Sequence, residues 1–262
     1  MALDILGRFF LFFTSAFFII PVSTLGYWFY RKEVFGKLIF LILFSIIFNL
    51  YLKSIWQEPR PAWLPGDSWA FPSGHMKFTL CFYGWLAFEY RKKWLSVSAA
   101  LIMLGVGWAL VHFRYHTPRD VLASVGFGGL TLIAYYFFLK ISFIKKNLPL
   151  AGLVLSPLTA LFIYLIPKYF SYVYEAQGQL MGFSLGWFLW DKYCPAELTK
   201  GEKIMNVILS FLGAGVFIGL GFMVPKTPIL VLALSFLAGL SISFPGFGVF
   251  CRKREACTSK LS

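Results

Sequence analysis

Nine apolar stretches, at roughly 9–30, 36–52, 76–90, 95–111, 121–139, 148–166, 178–190, 204–224 and 229–250, follow one another with only short polar intervals. A bilayer core about 30 Å thick takes roughly 20 apolar residues per crossing helix, so this succession points to a bundle that spans the membrane many times. Composition agrees: of 262 residues 59% are hydrophobic and 13% charged, more apolar surface than a soluble fold of that length hides. The expected fold class is all-α, a polytopic membrane helical bundle of about nine transmembrane helices. Residues 1–140 hold five of them, and residues 148–251 hold four more of unassigned role.

The formal charge of +13 does not imply a nucleic acid partner, because the basic residues form short clusters between apolar stretches and no long stripe. They read as topology signals. With nine crossings, sixteen of the 24 Lys and Arg residues fall on one face, among them Arg91, Lys92, Lys93, Lys145, Lys146 and the run Arg252 to Arg254. The positive-inside rule makes that face cytoplasmic, with the N-terminus outside and the C-terminus inside. The N-terminal run lacks a small-residue cleavage site and reads as a retained first helix. Four cysteines without a CxxC pair argue against a disulfide framework or a zinc site. Gly178, Gly182 and Gly186, and again Gly215 and Gly219, recur at a spacing that lets helices approach closely.

The chemistry concentrates on the outer face, in two segments that hold all three histidines. The first contains Lys53, Arg60 and Pro61, then Pro72, Ser73, Gly74 and His75 at the start of the third helix. Ser73 as N-cap, followed by Gly74 and His75, aims free backbone N–H groups and the positive end of the helix dipole outward, which suits a phosphate oxyanion. Cations at the outer end of a helix are those the positive-inside rule disfavours, so Lys53 and Arg60 call for an anionic partner. Arg60 offers a planar fork and Lys53 a point charge. The second segment runs from His112 through Arg114, His116, Thr117, Pro118 and Arg119 to Asp120. Thr117, Pro118 and Asp120 fit N-cap, N1 and N3 of a helix. Asp120 then reaches back to His116, fixing its tautomer and leaving the other ring nitrogen as a nucleophile.

These residues resemble the type-2 phosphatidic acid phosphatase superfamily, whose motifs are K-x6-R-P, P-S-G-H and S-R-x5-H-x3-D. Lys53, Arg60 and Pro61 match the first, and Pro72 to His75 the second. His116 and Asp120 match part of the third, but its Ser-Arg positions fall on Ala109 and Leu110. The resemblance covers roughly residues 40–130. It implies that residues 1–140 form a catalytic core, that His116 becomes a phosphohistidine, and that His75 is the general acid. It also implies that Lys53, Arg60, Ser73 and Gly74 hold the phosphate without a metal ion or other cofactor. Arg114 is the first candidate to replace the absent arginine, with Arg119 and His112 as weaker ones. The nine-helix layout is similar to the glucose-6-phosphatase branch.

The function expected from this reading is that of an integral membrane phosphatase acting on a lipid phosphate or pyrophosphate at the extracytoplasmic face, in a bacterial inner membrane. Its partners are then the lipid substrate and the bilayer, with Trp56, Trp63 and Trp69 seating the first loop at head-group depth. The alternatives are a phosphatase of a soluble sugar phosphate, a lipid phosphotransferase, or a catalytically impaired transporter-like relative. The Tyr-rich segment from Pro167 to Gln177 reads as an interfacial connector, or as a cover for the site. Lys53, Arg60, His75, His116 and Asp120 are expected around one pocket.

Overall fold

The computed structural model describes residues 1–64, 69–166, 168, 170–194 and 198–245. All its regular elements are helices: α1 (Ala2–Phe12), α2 (Ala16–Leu25) continued by a π-helical turn (Gly26–Tyr30), α3 (Lys32–Trp56), α4 (Gly74–Tyr90), α5 (Lys93–His112), α6 (Pro118–Phe138), α7 (Ser142–Lys146), α8 (Leu148–Tyr164), α9 (Ser171–Tyr193), α10 (Lys200–Met223) and α11 (Pro228–Ser243). The span Ala2–Tyr30 and helices α3, α5, α6 and α10 are long and apolar enough to cross a bilayer, while α8 and α11 are shorter apolar helices. This is an all-α, polytopic membrane bundle.

The chain divides into two compact units, one of Met1–Ser23 with Glu33–Ser142 and one of Thr24–Lys32 with Phe143–Ser262. In the first, α3 is apolar all round and accordingly buried along most of its length. Large side chains space it from its neighbours. Tyr135 of α6 donates its hydroxyl to the Lys37 carbonyl at 2.9 Å, and Trp85 of α4 donates Nε1 to that of Val34 at 3.4 Å. Helices α4, α5 and α6 meet around Met76, Val106, Leu110 and Val121. Helix α1 lies close on α5, where Gly7 accommodates the Phe113 ring and Gly105 that of Phe10.

In the second unit the glycine stripe of α9 sets the packing. A Cβ at Gly178 or Gly182 would fall onto α11 backbone atoms of Leu232 or Phe236, and one at Gly186 onto the Ser243 hydroxyl. Only a bare backbone permits that approach. Trp28 donates Nε1 to Ser210 at 3.2 Å and to the Ile242 carbonyl at 3.1 Å, which ties the π-helical turn to α10 and α11. Lys32 pairs with Asp191.

Several expectations need correction. Helix α9 runs from Ser171 to Tyr193, well beyond 178–190, so residues 171–177 are its first two turns rather than an irregular connector. Val173, Ala176, Leu180 and Phe183 give it a buried face, and Gln177 within it is satisfied by the Ser156 carbonyl at 2.9 Å and Thr159 at 2.7 Å. Gly215 and Gly219 meet nothing within 4 Å among the described residues, so they do not pack a helix there. Helix α1 begins at Ala2, ahead of the apolar run assigned from residue 9. Cys194 is disulfide-bonded.

Gly182→Ala is expected to lower the unfolding midpoint of the detergent-solubilised protein by the equivalent of about 1–3 kcal/mol, because the obstacle to the new methyl is backbone. Gly219→Ala, in open space inside a helix, is expected to leave stability unchanged or raise it by up to about 1 kcal/mol. Equal midpoints for the two variants would contradict the α9–α11 packing.

Candidate active site

The site is built on two helix starts held together. Ser73 caps α4, its Oγ accepting the Met76 N–H at 3.4 Å, and its own N–H reaches the Asp120 carbonyl at 3.5 Å. That last contact ties the start of α4 to the start of α6. The Phe71–Pro72 peptide leading into the cap is cis. With Met76 taken by the cap, the N–H groups of Gly74 and His75 have no acceptor among the described residues. They and the helix dipole form the positive end of α4.

At α6 the expected capping box is present. Asp120 N–H donates to Thr117 Oγ1 at 3.2 Å, and Thr117 N–H donates to Asp120 Oδ2 at 2.9 Å, with Pro118 in the first turn. The same Oδ2 lies 3.5 Å from His116 Nδ1, within ion-pair reach but too long to count as a hydrogen bond, and Nδ1 is otherwise without a partner. Catalytic hydrogen bonds in unliganded sites are often long and tighten on binding. Nδ1 faces the carboxylate, so Nε2 is the nitrogen directed elsewhere.

What delivers His116 to this position is the end of α5. Tyr115 N–H reaches the Leu110 carbonyl at 2.9 Å and Arg114 N–H that of Val111 at 3.0 Å, the double bond pattern of a Schellman cap, with Arg114 at φ 55° as its left-handed residue. His116 N–H also donates to the Leu110 carbonyl, at 3.2 Å. Glycine usually fills such a left-handed position, and a residue with a Cβ there costs roughly 1 kcal/mol.

Lys53, in the last turn of α3, is only 4% exposed and donates to the carbonyl of Trp69. Lys53, Arg60, His75, His116 and Asp120 are linked by a chain of electrostatic interactions. Arg60 and Lys53 act on His75; Lys53, Asp120 and His75 act on His116; Arg60 and Asp120 act on Lys53. Burial first, and then the Lys53 ammonium, lower the His116 pKa from 6.5 to about 4, although Asp120 pulls the other way. The imidazole is therefore neutral at ordinary pH. The His116 side chain is 5% exposed, whereas His75 is exposed.

Not every expected residue joins this group. Arg114 is exposed on its turn, its carbonyl accepting Trp63 Nε1 at 3.5 Å. Arg119 pairs with Glu58 at 2.8 Å and lies over the Phe71 ring, and His112 contacts Asp4 at 2.9 Å. Leu110, where the motif has arginine, is 1% exposed and packs with Met76, Val106 and Val121. Trp69 is buried at 7% exposed and does not sit at an interface, while Trp56 and Trp63 are exposed. Sequence reading passed over Asn49, which is buried beside the site one helical turn before Lys53. A lone amide four residues ahead of a motif lysine in an apolar helix was the available signal.

Comparison with known proteins yields a match to the family model of the PAP2 superfamily over residues 35–143, which runs from the start of α3 to just beyond α6. No curated protein and no solved structure matches the chain. The matched segment contains all three motif regions together with the helices that carry them, so residues 35–143 of this all-α membrane protein are similar to the PAP2 superfamily.

Proposed function

We propose that this protein is an integral membrane phosphatase that hydrolyses a lipid phosphate or pyrophosphate at the extracytoplasmic face through a phosphohistidine intermediate. The observation that carries this reading is the convergence of His75, His116, Lys53, Arg60 and Asp120 at the start of α4, with His116 Nδ1 turned toward Asp120. In the first step His116 Nε2 attacks phosphorus, and the bond to the leaving oxygen breaks as that oxygen takes a proton from His75. In the second step the neutral His75 accepts a proton from water, whose oxygen attacks phosphorus as the bond to His116 Nε2 breaks; inorganic phosphate leaves, His116 is again a neutral imidazole and His75 again protonated. Lys53, Arg60 and the N–H groups of Gly74 and His75 hold the equatorial oxygens, and Ser73 fixes the helix start that presents them. Asp120 steadies the charge that develops on His116. The exposed Trp56 and Trp63 favour a substrate held in the lipid head-group layer.

Leu110, buried where the motif has a cation, favours a second reading, a catalytically impaired relative. Activity decides between them. A phosphate-release screen of the purified protein against lipid and soluble phosphoesters, with EDTA present, is expected to give turnover on lipid substrates; none on any substrate would establish the impaired reading, and turnover confined to soluble esters would replace the substrate class.

His116→Ala is expected to abolish turnover. His75→Ala is expected to lose about 10²–10⁴-fold on alkyl phosphates and much less on aryl phosphates, whose leaving oxide needs no proton. Full activity of His116→Ala would refute the mechanism. Arg114 reaches the anion only by turning inward from its exposed turn, and Arg114→Gly removes the side chain while keeping the left-handed backbone. A large loss in that variant would make Arg114 the replacement cation, and an unchanged one would leave the oxyanion to Lys53, Arg60 and the α4 backbone.

The lowered pKa of His116 sets the acid limit. A nucleophile with a pKa of about 4 stays unprotonated as pH falls past 6.5, so kcat/KM, corrected for the substrate's own ionisation, is expected to hold down to about pH 5. A limb at the ordinary 6.5 would contradict it. The same shift withdraws stability as pH falls below 6.5, because the unfolded chain takes up a proton there that the folded one does not.

For the face, single cysteines introduced as Ala62→Cys and Lys92→Cys in a cysteine-free background, both at exposed positions, are to be labelled in intact cells with an impermeant reagent. Label at 62 and none at 92 is expected; the reverse would place the site in the cytoplasm.

A further inference from the structure

We propose that Asn49 forms the floor of the phosphate pocket and donates its side-chain amide to the bound phosphoryl group, a role that rests on the phosphatase reading above. Asn49 lies in α3 one turn before Lys53, so both side chains leave the helix on the same face. It is 7% exposed, and its Oδ1 is buried without a hydrogen-bond partner. Its Nδ2 lies 3.2 Å from where a Cβ on Gly74 would stand. The amide therefore sits directly against the residue between the Ser73 cap and His75, at the positive end of α4.

A buried primary amide carries two donors and one acceptor, and leaving them unmade costs about 1–3 kcal/mol each, more inside a bilayer, where no water replaces the partner. What faces Asn49 from α4 is Gly74, whose free group is a donor, so α4 offers the amide no acceptor at that point. An oxyanion held by the N–H groups of Gly74 and His75 supplies one. Of the two ends of the amide, Nδ2 is the one placed toward Gly74, and only that NH2 end can donate to the anion. A Cβ at position 74 would push the Asn49 amide back by a few tenths of an ångström.

The position also bears on charge. With Leu110 in the apolar core and Arg114 on the surface, two cations, Lys53 and Arg60, face a phosphoryl group that carries up to two negative charges. A neutral donor beneath the group strengthens its binding without adding a third cation to a buried site where Lys53 and Arg60 already repel one another.

The test is binding of inorganic phosphate, measured by calorimetry on the full-length protein in detergent at pH 8, for wild type, Asn49→Ser and Asn49→Asp. The unfolding midpoint reports whether each variant is folded. Wild type is expected to bind; Asn49→Ser is expected to bind about 10-fold or more weakly, as befits a lost bond to a charged group. Asn49→Asp keeps the shape and reverses the polarity facing the anion, and is expected to bind at least about 100-fold more weakly. A residue that only fills space would leave phosphate affinity unchanged in Asn49→Ser, so wild-type affinity in folded Asn49→Ser, or in folded Asn49→Asp, overturns the proposal. If Asn49→Ser does not fold, Asn49→Asp decides alone. Absence of phosphate binding by wild type overturns the phosphatase reading, and this proposal with it.

Discussion

One carboxylate joins the fold of this protein to its chemistry. Asp120 closes the capping box of α6 through Thr117, stands against His116 Nδ1, and offers its backbone carbonyl to the N–H of the α4 cap, Ser73. Each of these is modest alone: a cap contributes about 1 kcal/mol and a neutral hydrogen bond about the same. Their coincidence on one residue means that the start of α6, the orientation of the buried imidazole and the position of the α4 start cannot move independently. A proton or an anion arriving at the site therefore acts on two helices at once.

The end of α5 has a similar double duty. Its Schellman cap turns the chain so that His116 follows a buried Leu110, and the price is a left-handed arginine where glycine would be relaxed. Strain of that kind persists only where the surroundings hold it, and it recurs at ligand-binding positions. Leu110 itself could not carry a cation here without taking it into the cluster of Met76, Val106 and Val121. The apolar residue at the motif position is thus coupled to the packing of α4, α5 and α6, and any replacement for the lost charge has to come from another element.

The helical class and the place of the site were legible in sequence because both rest on local patterns. Apolar runs of membrane length can satisfy their backbone only as helices, and Thr117, Pro118 and Asp120 spell a helix start wherever they fall. What escaped depends on contacts distant in the chain. Residues 171–177 look polar and Tyr-rich until Ser156 and Thr159 are seen to satisfy Gln177, and only then does α9 extend to Ser171. Gly182 and Gly219 sit in the same spacing, yet one lies on α11 and the other in open space. Trp69 reads as an interfacial aromatic but is buried, its carbonyl the acceptor for Lys53. Arg114 was singled out for its charge, whereas its backbone conformation was invisible.

The unequal exposure of the two histidines bears on the order of events in the proposed reaction. The His116 side chain, the nucleophile of that reaction, is 5% exposed, and His75, its proposed acid, is exposed. Burial keeps His116 unprotonated and, in the proposed reaction, would shield a phosphohistidine there from bulk water, so that hydrolysis would wait for a water admitted past His75. The leaving alcohol departs through the same opening, toward the side from which that water must come. His75 therefore meets the leaving oxygen and the attacking water at one position in turn, which is what lets a single imidazole serve as acid in the first step and base in the second. An exposed nucleophile and a buried acid would separate those two places and require a second proton carrier, and His112, the remaining imidazole, is engaged with Asp4 and stacked on Trp108.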